Sequence, residues 1–243
     1  MPRPPSSPSL ADQHGAPGGV AAVDRAATLL AAFQLGDTSL SLTELAARTG
    51  LYKSTTMRLL ASLEHAGLIR KLDDGSYALG AEIARLHAVY AASFSLERVV
   101  MPVLRELVAE TGESAAYHVS QGTARLCLYR VDSPNPIRDH TRAGELLPIG
   151  QGAGGRVLIA FDETLGRKYG KGKDAPLYAS IRQQGYCAVQ GDRLAEVAGI
   201  SAPVFHQDGS LAAALTLIVP AHRYDERHIE PTVRAARKLS TLV

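Results

Sequence analysis

Residues 41–80 read SLTELAARTG LYKSTTMRLL ASLEHAGLIR KLDDGSYALG, and this stretch decides the fold of the first part of the 243-residue chain. Leu42, Leu45 and Ala46 recur at helical spacing on one face of a short helix. Ser41 stands three positions before Glu44, the pattern of a capping box at a helix start. Gly50 follows Thr49, where a helix end commonly takes a left-handed residue. A second helix starts near Lys53 or Ser54 and runs to about His65, with Leu59, Leu60 and Leu63 as its buried stripe and Gly67 as its stop. Leu68–Lys71 and Ser76–Leu79 then flank the turn residues Asp73, Asp74 and Gly75, which predicts a hairpin. Helix, turn, helix and hairpin in that order predict a winged helix-turn-helix, a unit whose second helix fits the DNA major groove.

The polar residues of the second helix carry the functional expectation. Lys53, Ser54, Thr55, Thr56 and Arg58 crowd its first turns, the part of a recognition helix that reaches base edges. Hydroxyls and a helix N-terminus suit phosphate oxygens, and Arg58 suits a phosphate or a guanine. Arg70 and Lys71 fall on the wing, where a hairpin can follow the sugar-phosphate backbone. Two core helices with a solvated polar face, or a winged domain used only for protein contacts, remain the alternatives. A net charge of +2 makes any basic surface local rather than global.

Outside this stretch, the composition bounds the answer. A hydrophobic content of 46% over 243 residues supports two modest globular cores. No apolar run approaches the length of a membrane span. Residues 1–19, MPRPPSSPSLADQHGAPGG, lack an apolar signal-peptide core and read as a disordered tail rich in Pro, Ser and Gly. Cys127 and Cys187 are too few for a disulfide framework and sit in apolar stretches, which predicts buried thiols in a reducing, cytoplasmic setting.

Residues 20–80 are expected to form the DNA-binding domain. Its first helix spans Val20–Phe33 and buries Leu29, Leu30 and Phe33 against Leu45 and Leu60. The Ala- and Val-rich remainder of that helix suggests a dimer contact. Residues 81–93 read as a linker helix with Ile83, Leu86 and Val89 on one side. From residue 94 to 243 the pattern is α+β: helical segments around Pro102, at Gly154–Phe161, Leu177–Gln184 and Glu226–Leu242, with strands at Ser114–Ser120, Ala124–Val131, Tyr186–Val189, Gly199–Phe205 and Ser210–Val219.

The stretch from Ser41 to Gly80 resembles the DNA-binding domain of the IclR family of bacterial transcriptional regulators. It carries an LxExA helix, a TGLxKST turn, RLLxxLexxGL and a wing ending YxLG, all in order. Tyr52 stands where a proline or serine is more usual. The second half resembles the same family through three motifs. These are Arg130–Pro134 (RVxSP), Ile181–Tyr186 (IRxxGY) and GISAPVFHQDGSLAAALTLIVPAHR from Gly199. The resemblance implies a winged helix-turn-helix, a linker helix, a GAF/PAS-like α+β effector-binding domain, and a homodimer or homotetramer. It implies that residues matching Ser54, Thr55 and Arg58 face DNA, and that those matching Thr56 and Met57 vary with the operator. It places Ala153 and Gly154 at the effector pocket, with Val189, Gly199, Thr216 and Ile218 as pocket-facing strand positions.

Gly150–Gly155 satisfies GxGxxG, but a dinucleotide site also needs an acidic residue about 20 positions on. The corresponding region, Gly166–Lys173, reads as a polar loop, so no cofactor is expected. A helix N-terminus that favours an anion such as a carboxylate, or close helix–sheet packing, explains the glycines better. Val189, Gly199 and Ile218 lack polarity, which predicts a largely apolar pocket suited to an aromatic or longer-chain acid. His118, His140, His206, His222 and His228 show no metal-ligand spacing and no serine sits in a nucleophile elbow, so neither a metal nor a catalytic set is expected. The expectation is an effector-modulated DNA-binding regulator. The alternative is an enzyme that processes small acids and carries a DNA-binding module.

Overall fold

The computed structural model describes residues 9–93 and 96–243, which divide into two compact units between Ser93 and Phe94. The first unit contains α1 (Leu10–His14), α2 (Ala21–Ala31), α3 (Leu42–Thr49), α4 (Lys53–His65), β1 (Ile69–Lys71), β2 (Tyr77–Leu79) and α5 (Ala81–Ser93). Both halves of the capping box form: the Glu44 amide donates to Ser41 Oγ at 3.2 Å, and the Ser41 amide donates to Glu44 Oε2 at 2.8 Å. Gly50 ends α3 at φ +70°, the left-handed geometry that lets the chain turn into α4. Leu29, Leu45 and Leu60, one from each of three helices, are fully buried together with Leu40, Ile69 and Tyr77.

The wing is tied in at both ends. Ile69 pairs with Leu79 and Lys71 with Tyr77 across the hairpin, and Leu40 exchanges two backbone hydrogen bonds of 2.8 Å with Tyr77. Gly80 closes the wing so tightly that a Cβ there would lie 2.0 Å from the Gly67 carbonyl oxygen.

Part of the segment expected as a disordered tail is helical. Ser9 caps α1 by accepting a 3.3 Å hydrogen bond from the Asp12 amide, Asp12 pairs with Arg25 of α2 at 2.8 Å, and Ala11 is buried. A five-residue helix is too short to show a hydrophobic period, so only its packing partners reveal it. The expectation for residues 1–8 lies outside the described residues.

The second unit begins with α6 (Leu96–Thr111), followed by β3 (Ser114–Gln121), β4 (Ala124–Val131), β5 (Leu146–Pro148), α7 (Gly152–Phe161), α8 (Glu163–Tyr169) and α9 (Ala175–Gln184). Strands β6 (Cys187–Gln190), β7 (Val197–Phe205) and β8 (Leu211–Pro220) and helix α10 (Ile229–Ser240) complete it. Its six-stranded antiparallel sheet has the order β5-β4-β3-β8-β7-β6. Helices α6 and α10 cover one face, with Val100, Val103, Leu104 and Leu107 forming the apolar stripe of α6. Helix α7, backed by α9, covers the other face over β6, β7 and β8.

Two local expectations change. Helix α6 runs through Pro102 without interruption. The expected loop at Gly166–Lys173 is helical as far as Tyr169: Asp162 caps α8 by accepting from the Leu165 amide at 2.8 Å, and Leu165 packs into the core. Polar residues on the outer face of this short helix masked it in the sequence.

Candidate nucleic-acid interface and ligand cavity

In the first unit, α4 presents Lys53, Ser54, Met57 and Arg58 to solvent, with Thr55 half-buried. Its N-cap, Tyr52, makes no side-chain capping bond, so no capping side chain covers the first-turn amides. Arg70 and Lys71 are exposed on β1. Thr56 must be removed from the DNA-facing set. It is fully buried and donates its hydroxyl to the Tyr52 carbonyl at 3.0 Å, because positions 56, 60 and 63 share the inward face with Leu60 and Leu63. Tyr52, which departs from the usual proline or serine, is 40% exposed beside Lys53.

In the second unit, Ala153, Gly154, Val189, Gly199, Thr216 and Ile218 all line one cavity of about 40 Å³. They converge because Val189, Gly199 and Ile218 are cross-strand neighbours on β6, β7 and β8, and the first turn of α7 lies over them. The glycines allow this approach: a Cβ at Gly154 would fall 2.8 Å from Thr216 Oγ1, and one at Gly155 would fall 2.1 Å from the Ile149 carbonyl oxygen. GxGxxG therefore serves close helix–sheet packing, in an antiparallel sheet rather than the parallel sheet of a dinucleotide fold.

The cavity is more polar than the strand positions alone predict. His118, Arg125, Thr141, Asp192 and Arg193 also line it. Arg125 is 4% exposed, and its Nη1 donates to the carbonyls of Gln151 and of Pro148, the latter at 2.7 Å. Its Nε has no hydrogen-bond partner among the described residues. Burial, reinforced by Arg193, lowers the Arg125 pKa to about 10, which leaves it cationic at neutral pH. Burial raises the Asp192 carboxyl, but hydrogen bonds from Arg156 and the Gly152 amide outweigh it and hold the group below its ordinary value. Asp192 is thus an anion whose partner is Arg156.

His118 belongs to a chain of hydroxyls. Ser201 Oγ donates to the Leu215 carbonyl at 2.9 Å, so the 3.0 Å contact between Ser201 and Thr216 takes its proton from Thr216. Thr216 Oγ1 must then accept from His118 Nδ1, 3.2 Å away. This assigns the Nδ1–H tautomer and leaves Nε2, buried and without a partner among the described residues, as a bare acceptor. Burial, with Arg125, Arg130 and Arg193 nearby, pulls the imidazole well below its ordinary pKa and keeps it neutral. A register shift in the β3–β4 pairing between Tyr117 and His118 re-aims this position.

Beside this cavity lies a second one of about 350 Å³, and the two share Thr141, Arg193 and Val197 in their walls. The sequence held two signals for the missed residues: Arg125 among the apolar residues that open the strand Ala124–Val131, and His118 inside Ser114–Ser120. Cys127 and Cys187 are buried free thiols, each pushed up to about 12 by burial. Among the described residues, no group of three or more His, Cys, Asp or Glu is placed to hold a metal ion, and no helix is long and apolar enough to cross a membrane.

The comparisons with known proteins agree with this architecture. The IclR helix-turn-helix domain matches residues 22–73, and the bacterial transcriptional regulator IclR C-terminal domain matches residues 88–168 and 176–242. The chain is 27% identical to the transcriptional repressor IclR of Escherichia coli K12 over 248 residues, covering 93% of this chain and 90% of that protein. A solved structure from Silicibacter sp. TM1040, assigned to the same regulators, superposes with a TM-score of 0.79 at 27% identity over 91% of this chain and 95% of that one. An IclR homolog from Microbacterium hydrocarbonoxydans, complexed with 4-hydroxybenzoate, shares the fold with a TM-score of 0.76 at 22% identity, over 90% of this chain and 98% of that one. With both domains matched in order along the sequence, the chain belongs to the IclR family of bacterial transcriptional regulators and is a DNA-binding regulator of that type.

Proposed function

We propose that the second unit binds a small organic carboxylate, and that this ligand modulates operator binding by the first unit. The observation that carries the reading is the cavity under the start of α7, where a buried guanidinium without a carboxylate partner faces the Gly152–Gly154 turn. Among the described residues no carboxylate hydrogen-bonds to it, and Asp192 in the same wall is engaged by Arg156. Burying a cation so incompletely paired is costly, and an anionic ligand offsets that cost. The solved relative complexed with 4-hydroxybenzoate, an aromatic carboxylic acid, supports the same ligand class. Lys53, Ser54, Thr55, Met57 and Arg58 meet the operator from α4, and Arg70 and Lys71 meet its backbone from the wing. The protein acts in the cytoplasm as a homo-oligomer, because two recognition helices related by a two-fold axis read two half-sites. Exposed Val20, at the N-cap of α2, and Val23 on the helix support self-association. In this reading the His118–Thr216–Ser201 chain, which ends on the Leu215 carbonyl, serves to orient the imidazole. Helix α5 carries the coupling between the units, which requires the ligand to favour one arrangement over the other.

A fluorescence titration of operator DNA against the full-length protein, with and without small carboxylic acids, tests this. A shift of at least fivefold in apparent affinity with one acid of the panel is the expected result. Operator affinity that no acid alters would count against the sensor reading.

A further inference from the structure

We propose that the inner cavity selects a 2-hydroxy carboxylate, held carboxylate-first by the Nε/Nη2 edge of Arg125, with its hydroxyl donating to His118 Nε2 and its remainder pointing into the outer cavity. The inference rests on the carboxylate-effector reading above and names the ligand more narrowly.

Arginines of this chain grip carboxylates in two ways. End-on, through Nη1 and Nη2, Arg48 holds Asp37 and Arg130 holds Asp139. Side-on, through Nε and Nη2, Arg85 holds Glu82, Arg156 holds Asp192 and Arg223 holds Glu113. Arg125 has only the side-on edge to offer, because its Nη1 is already committed. The two N–H bonds of that edge run parallel and match the two oxygens of one carboxylate. Arg125 commits Nη1 to the Pro148 and Gln151 carbonyls, while Nε has no partner among the described residues. Nε lies 3.6 Å from the Cβ position of Gly154, and Nη2 lies 3.1 Å from that of Gly152, so the free edge runs along the first turn of α7. The Gly152 amide is already held by Asp192 at 2.6 Å, and the amides that follow it in that turn add positive potential to the same place.

His118 supplies the second point of recognition. Its Nδ1 lies 3.2 Å from the same Gly154 Cβ position, which puts imidazole and guanidinium around one small space. The hydroxyl chain fixes the proton on Nδ1, so Nε2 offers a lone pair. A carboxylate oxygen or a ketone oxygen cannot satisfy that lone pair, whereas a hydroxyl can. The adjacent hydroxyl of a 2-hydroxy acid is the donor nearest to a carboxylate held by Arg125. A cavity of about 40 Å³ takes this polar head but not a ring or long chain. The rest of the ligand passes Thr141, Arg193 and Val197 into the chamber of about 350 Å³, whose walls include Ile137, Leu194 and Pro220.

Calorimetric titration of the full-length protein with mandelate, phenylacetate, benzoylformate and mandelamide tests the inference. Mandelate is expected to bind at least tenfold more tightly than phenylacetate or benzoylformate, and about a hundredfold more tightly than mandelamide, since an unmet buried donor or acceptor discriminates strongly. Arg125→Lys keeps the charge and loses the paired edge, so mandelate should weaken at least thirtyfold. His118→Asn keeps an amide donor for Thr216 and loses the acceptor, so the preference for mandelate over phenylacetate should collapse. If Arg125→Lys does not fold, the wild-type comparison of mandelate with mandelamide decides the anion contact by itself. Equal binding of mandelate and phenylacetate, or a preference that survives His118→Asn, overturns this inference and leaves the carboxylate reading standing. Binding by none of the three acids also overturns this inference, and the carboxylate reading then stands or falls on the operator titration.

Discussion

Gly154, in the first turn of α7, faces the Thr216 hydroxyl of β8 so closely that a methyl group there would lie 2.8 Å from Oγ1. The hydroxyl cannot swing aside without giving up its hydrogen bonds to His118 and Ser201. Gly154→Ala should therefore fill the cavity, at some cost in stability. The helix gains about 1 kcal/mol from alanine, against roughly 1–3 kcal/mol of overpacking. A melting temperature within a few degrees of wild type, with at least a tenfold loss of affinity for 4-hydroxybenzoate or any other acid that binds, is the expected outcome. Unchanged ligand affinity would show that the cavity is not where the ligand sits.

Thr56 and Arg58 are two positions apart on α4 and should behave oppositely. Thr56→Ala removes a buried methyl and a 3.0 Å hydrogen bond, which should cost about 1–2 kcal/mol of stability and leave the salt dependence of operator binding as it is. Arg58→Ala should leave stability alone and weaken operator binding. Where Arg58 meets a phosphate, the log–log salt slope should shrink by about 1. Gel-shift titrations at several salt concentrations, paired with urea denaturation, separate the two. A Thr56→Ala protein of wild-type stability that lost operator affinity would restore Thr56 to the interface.

The capping box gives a prediction confined to the first unit. Ser41→Ala removes the oxygen that accepts from the Glu44 amide at 3.2 Å and should destabilise the unit by about 1 kcal/mol. Differential scanning calorimetry should show the loss in the transition of the first unit, with the ligand cavity unaffected.

His118 gives a pH dependence whose sign follows from its depressed pKa. Above about pH 6.5 the imidazole is neutral in both folded and unfolded chains and contributes nothing. Below that value the unfolded chain takes up a proton that the buried site refuses, so stability falls by up to about 1.4 kcal/mol per pH unit until the folded pKa is reached. His118→Asn should remove this part of the slope. Urea midpoints for both proteins between pH 7.5 and pH 5, above the range where most carboxylates protonate, provide the check. Parallel curves would mean that His118 is not held neutral.

The winged unit was readable almost residue by residue, because its determinants are local. A capping box, a left-handed glycine and a turn of Asp74, Gly75 and Ser76 each act within three or four positions, and the apolar stripes of α3 and α4 follow from helical spacing. Thr56 shows where that logic failed. Thr55 beside it is half-buried and Met57 exposed, and a polar residue in a polar cluster hid the fact that position 56 shares the inward face with Leu60 and Leu63. Helix α1 was missed for a related reason, since its stability comes from Arg25 and the packing of Ala11 rather than from its own composition.

Sequence alone determined that the chain has a winged helix-turn-helix followed by an α+β unit, placed it by resemblance among IclR regulators, and named six cavity positions. Only the tertiary structure decided which polar groups line that cavity. Arg125 and Gly154 are 29 positions apart, and His118 and Thr216 are 98 apart, so no periodic pattern links them. Their chemistry depends on the order of strands in the sheet, on a register shift beside His118, and on helix α7 pressing close where its glycines carry no side chain. Local spacing fixes which elements form, whereas long-range packing fixes which polar atoms are left buried, charged and facing one another.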